Sequence, residues 1–377
     1  MRFLIERWRT VLLCGLAALS VSGCATGPAR LPIVAPDTQQ GQVEDVLIAT
    51  SRSRSDDPER YYGSGRSQTL SFANAGVWVP ADREPGSVPY PGARFDARTD
   101  FALTGYETLS GSSEFQTALN AQLRALPEDE RAVVVFVHGF NTPFSNGLYL
   151  NAQILADFDL SGVAVHFSWP SAGRPSAYLY DRDSVAFSRD GFAETLRLIS
   201  QSDAASINVI AHSMGALLTM ETLRQFSTAG EEDVLARLDF VILASPDIDS
   251  DVFHEQVRSI SPLPNQLAVF VSQRDRILAL SNALRGEPAA RVGLGENRAE
   301  LTDLGVTVVD LTSLRDGGYS NHNAFSHSPT LMRMVRSGVF ASAILGEPTR
   351  IRDRKIGTLS DLAASIIYLP ARVLGQR

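Results

Sequence analysis

The chain has 377 residues, of which 44% are hydrophobic and 20% charged, a composition typical of a globular fold large enough for one big domain or two ordinary ones. Its formal net charge of −8 disfavours nucleic-acid binding as the main function, because an acidic surface repels phosphate backbones. The two cysteines, Cys14 and Cys24, both lie near the N-terminus. The rest of the chain therefore has no thiol for catalysis, for a thiolate metal site or for an iron–sulfur cluster.

The first residues carry a targeting pattern. Arginines precede an apolar run from Val11 to Val21, and small residues lead from there to Cys24. This pattern predicts a secretory signal at residues 1–23. The run is shorter than the roughly 20 residues that a membrane-spanning helix needs, so a permanent transmembrane helix is the weaker interpretation. The string Val21-Ser22-Gly23-Cys24 resembles the lipobox of bacterial lipoproteins; an ordinary signal cut nearby is the alternative.

The lipobox resemblance implies that Cys24 is lipidated and becomes the first residue of the mature chain. We then expect an envelope protein that faces the periplasm and contacts the membrane through this cysteine. By the same resemblance, Ala25 in place of Asp favours the outer membrane over the inner one. Residues 24–42 are rich in Pro and Gly without an apolar period, which predicts a tether between the anchor and the domain.

A single domain is predicted over residues 43–345, of which residues 43–110 form a β-rich N-terminal extension. Beyond residue 131, short apolar runs alternate with helical patterns. The runs are AVVVFV (132–137), VAVHFSW (163–169), INVIA (207–211), DFVILA (239–244), LAVFVS (267–272) and VTVVDL (306–311). The helical patterns lie at 146–157, 185–200, 214–226, 276–285 and 329–344. This alternation predicts an α/β fold, with a mostly parallel sheet of about six to eight strands, helices on both faces and the active site at the carboxyl ends of the strands.

One serine follows a predicted strand directly. The run INVIA leads into His212-Ser213-Met214-Gly215 and then a helical pattern. The window from Ala211 to Gly215 resembles the nucleophile elbow G-x-S-x-G, with alanine at the first glycine position. Such an elbow lifts the Ser213 oxygen to the top of the sheet, at a helix N-terminus that favours negative charge. The simpler alternative is that Ser213 caps the helix.

A serine nucleophile needs a base, and the chain has six histidines. His322 and His327 lie in the loop after the last predicted strand, where α/β-hydrolases carry their catalytic histidine. We favour His322, because small and polar residues precede it and an apolar pair follows. His327 stands before Ser328-Pro329, which is typical of the cap and first turn of a helix, and remains the alternative base.

The segment His138-Gly139-Phe140 follows the first parallel strand and resembles the H-G loop of α/β-hydrolases. That resemblance implies that the N–H groups of Phe140 and Met214 form an oxyanion hole. It also implies that His138 is structural. His212 occupies the variable position of the elbow.

Two aspartates compete for the role of the acid that orients the histidine. Asp275 follows the penultimate strand, and Asp247 follows the strand before it. A helical pattern follows both, so either one could instead be a helix N-cap. We favour Asp275, which is in the usual position for this fold. Along the chain the order is Ser213, Asp275, His322. This is the order of the triad residues in α/β-hydrolases, and it differs from the orders in chymotrypsin and subtilisin.

Longer strings extend the resemblance beyond the triad. They are VVVFVHGFN through SWPSAG (133–173), INVIAHSMGALL, ILASPDIDSDVF and VSQRDRILALS. In this order they are similar to a bacterial α/β-hydrolase family of uncharacterised esterase/lipase-like proteins, over roughly residues 43 to 343. The resemblance implies the fold, a serine nucleophile and hydrolase chemistry, but no substrate. The chain departs from the pattern where Ser320-Asn321 precedes His322, since a glycine is more usual there.

These patterns favour an envelope-anchored carboxylic ester hydrolase that acts through an acyl-enzyme on a small-molecule or lipid ester, and needs no metal or organic cofactor. A thioesterase or acyltransferase would use the same triad. The alternative of a different class is a non-catalytic binding or scaffold protein of the envelope on a hydrolase fold. Residues 346–377 are predicted to form an amphipathic tail; packing on the domain is the default, and lying on the membrane is the alternative.

Overall fold

A computed structural model describes residues 29–35, 40–57, 59–92, 94–284, 290–318, 320–340 and 363–369. One sheet runs through them. Its strands are β1 (Gly41–Arg54), β2 (Tyr62–Pro80), β3 (Ala102–Leu109), β4 (Ala132–Val137), β5 (Val163–Ser168), β6 (Ser206–His212), β7 (Leu238–Ala244), β8 (Gln266–Val271), β9 (Thr307–Asp310) and β10 (Ile367–Tyr368). They are ordered β10-β9-β8-β7-β6-β4-β5-β1-β2-β3.

The centre of the sheet is parallel, from β9 across to β1, and its strands are nearly continuous in buried β-branched residues. This is the pattern expected when both faces of a strand are covered. Antiparallel strands close both edges: β2 and β3 on one side and β10 on the other. The predicted α/β architecture is confirmed.

Helices cover both faces of the sheet. They are α1 (Ser112–Arg124), α2 (Phe144–Phe158), α3 (Tyr178–Ser200), α4 (Met214–Ala229), α5 (Glu232–Ala236), α6 (Ser250–Ser259), α7 (Arg276–Leu284), α8 (Arg298–Asp303), α9 (Ala324–His327) and α10 (Pro329–Arg336). One face packs against α1, α3, α4 and α6. The opposite face packs against α2, α9 and α10. In the part of the chain that the structure describes, no helix is both long enough and apolar enough to cross a bilayer.

The described residues form a sheet of ten strands rather than six to eight, because the β-rich extension and residues 367–368 add to it. Strand β1 lies parallel to β5, with Val46 opposite Ala164, so the β-rich extension continues the central sheet. In the predicted tail, the described residues 363–369 contribute β10 and bury Ala363 and Ile366 against the domain. The rest of the predicted tail, the predicted signal and Cys24 lie outside the described residues.

Residues 29–35 belong to the predicted tether, and they pack on the domain. Ala29 and Leu31 are buried. The N–H of Val34 donates to the carbonyl of Leu103, and the N–H of Leu103 donates to the carbonyl of Pro32. The chain is therefore attached to the edge of the domain well before β1 begins.

Candidate active site

Ser213 occupies a sharp turn between β6 and α4. Its backbone has φ 53° and ψ −116°, a conformation that costs of order 1–3 kcal/mol in a residue with a side chain and is typical of a nucleophile elbow. Backbone hydrogen bonds fix the turn: Ser213 N–H donates to the Ala244 carbonyl at 2.9 Å, and its own carbonyl accepts from Asp247 N–H at 3.3 Å. The Ser213 side chain makes no capping hydrogen bond to α4, which argues against the helix-cap interpretation.

Two glycines allow the elbow and the loop after β4 to approach each other. A Cβ at Gly215 would lie 2.5 Å from the His138 carbonyl oxygen, and one at Gly139 would lie 2.6 Å from Nδ1 of His212. Neither position has room for a side chain. This close approach brings the predicted oxyanion residues Phe140 and Met214 beside the same serine.

His322 and Asp275 form a direct pair in the structure. Nδ1 of His322 lies 2.7 Å from Oδ2 of Asp275, and both side chains are buried. The other carboxylate oxygen of Asp275 accepts from the backbone N–H groups of Ile277 and Leu278 at 3.0 and 2.9 Å. Asp275 therefore caps α7 with one oxygen and holds His322 with the other, so the two roles weighed for it from sequence occur together.

The surroundings of His322 change its pKa in opposite directions. Burial lowers the pKa, because it disfavours the charged imidazolium. The charge and hydrogen bond of Asp275, with a smaller contribution from Asp247, outweigh burial, and the pKa of His322 is raised above its ordinary value. Such a ring is well suited to accept a proton near neutral pH.

Asp247, the alternative acid, is held by other partners. Its Oδ2 accepts from the Tyr178 hydroxyl at 2.7 Å, and its Oδ1 accepts from the Ser281 hydroxyl at 3.2 Å. Arg291, which is also buried, lies 3.4 Å from Oδ1. The structure thus joins His322 to Asp275 by a hydrogen bond and places Asp247 nearby, on another wall of the site.

His327, the alternative base, lies outside this arrangement. It ends α9, and its Nδ1–H donates to the carbonyl of Asn323 at 2.9 Å. Burial lowers the pKa of His327. The next residue, Ser328, caps α10 through a bond from Leu331 N–H, as the Ser-Pro pattern predicts.

The loop 139–142 lies against the elbow: a Cβ at Gly139 would lie 3.0 Å from the Cβ of Ser213. Two of its amides are already bonded: Asn141 N–H donates to Asp181, and Thr142 N–H donates to Ser171. Among the described residues, no protein group accepts a hydrogen bond from the N–H of Phe140 or of Met214. These two amides are available as donors, which is what an oxyanion hole requires.

One cavity of about 260 Å³ contains the site; we call it the site cavity. Ser213 and His322 both line it, although no hydrogen bond joins their side chains among the described residues. Asp247, Tyr178 and Ser281 form a polar wall. The remaining lining residues are mixed in character: Tyr90, Phe140, Asn141, Thr142, Asn146, Leu150, Pro175, His212, Ile277, Leu278, Ser320 and Asn323.

A known family matches the sequence. The family described as "Alpha/beta hydrolase of unknown function (DUF900)" matches residues 112–338. The chain belongs to this α/β-hydrolase family. The resemblance stated from the sequence motifs is confirmed, and the membership supports a hydrolase. No curated protein matches the chain.

Solved structures of hydrolases are similar to the chain at low identity. A putative cell surface hydrolase from Lactobacillus plantarum is 11% identical over 63% of this chain and 98% of that one, with a TM-score of 0.38. A putative hydrolase from Agrobacterium vitis is 16% identical over 71% and 78%, with a TM-score of 0.27. Fungal esterases from Rhizomucor miehei give 13% identity over 86% of each chain and a TM-score of 0.31.

The sequence did not predict the two buried charged side chains that bond to the backbone of the 139–142 loop in this α/β-hydrolase. Arg52 is 1% exposed, and its guanidinium donates to the carbonyls of Thr142 at 2.7 Å and Ser171 at 3.0 Å. Asp181, also buried, accepts from Asn141 N–H at 3.1 Å and from the Ser171 hydroxyl at 2.6 Å. Burial lowers the pKa of Arg52 to about 9 and raises that of Asp181. No local signal marks either residue, since their partners are far away in the chain.

His212, at the variable position of the elbow, links the elbow to the loop that carries the predicted base. Its Nε2–H donates to the backbone carbonyl of His322 at 3.2 Å, and the two ring centroids are 4.7 Å apart. Burial and the neighbouring His322 lower the pKa of His212 far below its ordinary value, so its ring is neutral. His138 is likewise buried, and it stacks on Trp169 at 4.7 Å between centroids.

Proposed function

We propose that the protein is a serine hydrolase of carboxylic esters, with Ser213 as nucleophile, His322 as base and Asp275 as the acid that orients it. The observation that carries the proposal is the shared site cavity. It holds a serine on a strained strand-to-helix turn together with a histidine that is hydrogen-bonded to a buried aspartate. Two unused backbone amides at Phe140 and Met214 complete the set of groups that acyl transfer requires.

In the first half of the reaction, His322 Nε2 removes the Ser213 proton while the serine oxygen attacks the ester carbonyl. The N–H groups of Phe140 and Met214 stabilise the tetrahedral oxyanion, and each donor contributes about 3–4 kcal/mol. The C–O bond to the alcohol then breaks, and the alcohol leaves with the proton from His322. In the second half, His322 takes a proton from the water that attacks the acyl-enzyme. The acid then leaves, and His322 returns the proton to the Ser213 oxygen.

The Ser213–His322 contact fits this scheme once substrate binds. Their side chains line one cavity without a mutual hydrogen bond, and such contacts are often long in a free enzyme and tighten in the substrate complex. Asp275 fixes the ring from its Nδ1 side, which leaves Nε2 as the nitrogen that exchanges protons.

We propose further that Cys24 is lipidated and anchors the enzyme in the bacterial envelope, facing the periplasm, with the outer membrane favoured. The lipobox-like string and the apolar run before it support this anchor. A Cys24→Ser variant that remains in the membrane fraction would contradict it. Hydrolysis of a water-soluble ester by this variant should match that of the lipidated protein, because the anchor lies outside the triad.

Fluorophosphonate labelling with mass-spectrometric mapping tests the catalytic proposal. The probe should modify Ser213, and the label should disappear in Ser213→Ala and in His322→Ala. Ser281→Ala is the matched control, since Ser281 is a second serine of the same cavity, and this variant should still be labelled. A folded protein that takes no label would instead support the non-catalytic binding or scaffold protein.

A panel of acceptors and leaving groups tests the reaction type. Under the proposed function, kcat/KM for release of free acid should be higher with an oxygen ester than with the matching thioester. Transfer of the acyl group to an added alcohol in preference to water would identify an acyltransferase with the same triad.

A further inference from the structure

The start of the described chain is bonded to the wall of the site cavity. Ala29 N–H donates to Oδ1 of Asn146 at 2.9 Å in a buried contact, and the Tyr149 hydroxyl donates to the carbonyl of Arg30 at 2.8 Å. Asn146 and Tyr149 lie on α2, and Asn146 lines the site cavity. The segment 29–31 is therefore held directly behind a cavity wall.

The proposed anchor lies only a few residues before this point. From Cys24 to Ala29 the chain advances five residues, which span at most about 18 Å when fully extended. A folded domain of this size is about 50 Å across, from the usual dependence of radius of gyration on chain length. A lipidated Cys24 therefore keeps the Asn146 wall close to the bilayer, and the opposite side of the domain cannot take its place.

An exposed apolar side chain lies beside the cavity. Leu179 is 76% exposed and follows Tyr178, which lines the cavity. Transfer of a large exposed apolar side chain from water into the interfacial layer of a membrane is favourable.

The size and lining of the cavity suit part of a lipid. At about 260 Å³ it is slightly smaller than the roughly 300–1,000 Å³ typical of sites that enclose a whole small molecule. Leu150, Ile277 and Leu278 give it apolar surface beside Ser213. Part of one acyl chain can occupy such a space while the rest of its molecule stays in the bilayer.

We infer that the substrate class is an ester embedded in the same membrane as the anchor: a lipid whose acyl chain passes from the bilayer directly into the site cavity. This inference rests on both parts of the proposed function, the serine esterase and the lipidated Cys24. It adds that the five-residue distance from Cys24 to Ala29 keeps the cavity close to the membrane.

Lengthening the tether tests the inference. The full-length lipidated protein is reconstituted in phosphatidylethanolamine/phosphatidylglycerol vesicles, with and without 20 Gly/Ser residues inserted between Gly27 and Pro28. Two fluorogenic esters are compared: 4-methylumbelliferyl palmitate in the bilayer and the water-soluble acetate. The insertion restores orientational freedom, so palmitate hydrolysis should fall at least fivefold while acetate hydrolysis stays within twofold.

A matched insertion between Asp129 and Glu130 controls for the added sequence. These exposed residues precede the amino end of β4, whereas the site lies at the carboxyl ends of the strands. Neither rate should therefore change by more than twofold. If the protein without an insertion did not hydrolyse the acetate, the proposed esterase activity would be refuted. If its mass spectrum showed Cys24 without lipid, the proposed anchor would be refuted. Equal palmitate rates with and without the tether insertion, in an acylated and active protein, would overturn this inference alone.

A readout of orientation does not depend on activity. Under the proposal Cys14 is removed with the signal and the sulfur of Cys24 carries lipid, so a cysteine introduced by Leu179→Cys is the one free thiol and takes a single fluorophore. Nitroxide-labelled lipids should quench this fluorophore, and they should leave one at Glu130→Cys unquenched. Equal quenching at both positions would overturn the proposed orientation.

Discussion

Two buried ionic clusters flank Ser213, and they act on different kinds of group. On one side, which we call the acid–base side, Asp275 and His322 share a single 2.7 Å hydrogen bond between side chains. On the other, the oxyanion side, Arg52 and Asp181 hold the 139–142 loop through its backbone carbonyl and amide groups. The first cluster supplies a proton carrier. The second supplies no reacting group; it fixes the position of the loop that carries the proposed oxyanion donor, Phe140 N–H.

This difference determines how each side should respond to substitution. The acid–base side depends on two particular side chains, so losing either one should remove most of the rate. The oxyanion side spreads its function over many bonds to backbone, so changes there should cost less activity and more stability.

The largest effect is expected at the base. His322→Ala should reduce kcat/KM for a soluble ester by about 10⁴-fold or more, because Ser213 loses its proton acceptor and only binding and the oxyanion donors remain. His327→Ala, in the same loop but outside the cavity, should stay within threefold. Steady-state kinetics of the two variants check this. A large loss in His327→Ala with activity retained in His322→Ala would reverse the assignment.

The acid should come next. Asp275→Asn should lower kcat/KM by about 10³–10⁴-fold, since it removes the carboxylate that orients and stabilises the His322 imidazolium. Asp247→Asn removes a neighbour that has no hydrogen bond to His322, and should cost about tenfold or less. Comparable losses in the two variants would contradict the assignment of Asp275 alone.

The pH profile sharpens the same comparison. Because the pKa of His322 is raised and the base must be neutral, kcat/KM should rise with pH through a pKa above the ordinary 6.5 and level off beyond it. In Asp275→Asn, burial still lowers that pKa while the main opposing charge is gone, so the acidic limb should move to lower pH. In Asp247→Asn it should move in the same direction by less. A limb that stays in place in Asp275→Asn would exclude His322 as the titrating base.

The sequence predicted the acid–base side far better than the oxyanion side. Ser213, Asp275 and His322 each follow a strand of the parallel sheet, so their meeting follows from strand alternation and one local motif. Arg52 reaches the site only because β1 pairs with β5, a contact between distant segments that no local pattern reveals. The helical pattern from 185 also begins too late, since α3 starts at Tyr178 and thereby includes Asp181.

The same limit applies to the ends of the chain. Residues 29–35 have the composition of a tether, yet Ala29 and Leu31 are buried, and Asn146 and Tyr149 bond to the backbone of Ala29 and Arg30. Composition predicts how a segment behaves without its neighbours. In residues 29–35, tertiary contacts hold the segment on the domain instead. The strand count was low for the same reason, because β2, β3 and β10 join the sheet through antiparallel pairing at its edges.

A change in the 139–142 loop itself should have an intermediate effect. In Gly139→Ala the new Cβ would lie 2.6 Å from Nδ1 of His212, so the loop and the elbow must separate. A displacement approaching 1 Å costs up to about 10²-fold, and we expect kcat to fall by roughly 10–100-fold with KM little changed. Gly105→Ala is the control, because a Cβ there meets nothing within 4 Å and should leave kcat within twofold. Equal rates in the two variants would show that the loop tolerates the separation.

The smallest catalytic effect is expected where Arg52 acts on the loop from below. Arg52→Lys keeps the positive charge but cannot supply the guanidinium bonds to the carbonyls of Thr142 and Ser171 at the same time. A buried acceptor left without its donor costs about 1–3 kcal/mol, so the free energy of unfolding should fall by about that amount. The loosened loop should lower kcat about tenfold, with KM nearly constant, because the oxyanion donors act in the transition state.

Arg54→Lys is the matched control for this substitution. Arg54 lies on the same strand, is exposed and stacks over Tyr62, so its replacement should change kcat by less than twofold. Denaturant unfolding and steady-state kinetics on both variants separate the two roles of Arg52. If Arg52→Lys lost stability but kept its full kcat, Arg52 would support the fold alone. A tenfold fall in kcat under conditions where the variant stays folded would instead make it a positioning residue for the oxyanion side, the counterpart of what Asp275 does for His322.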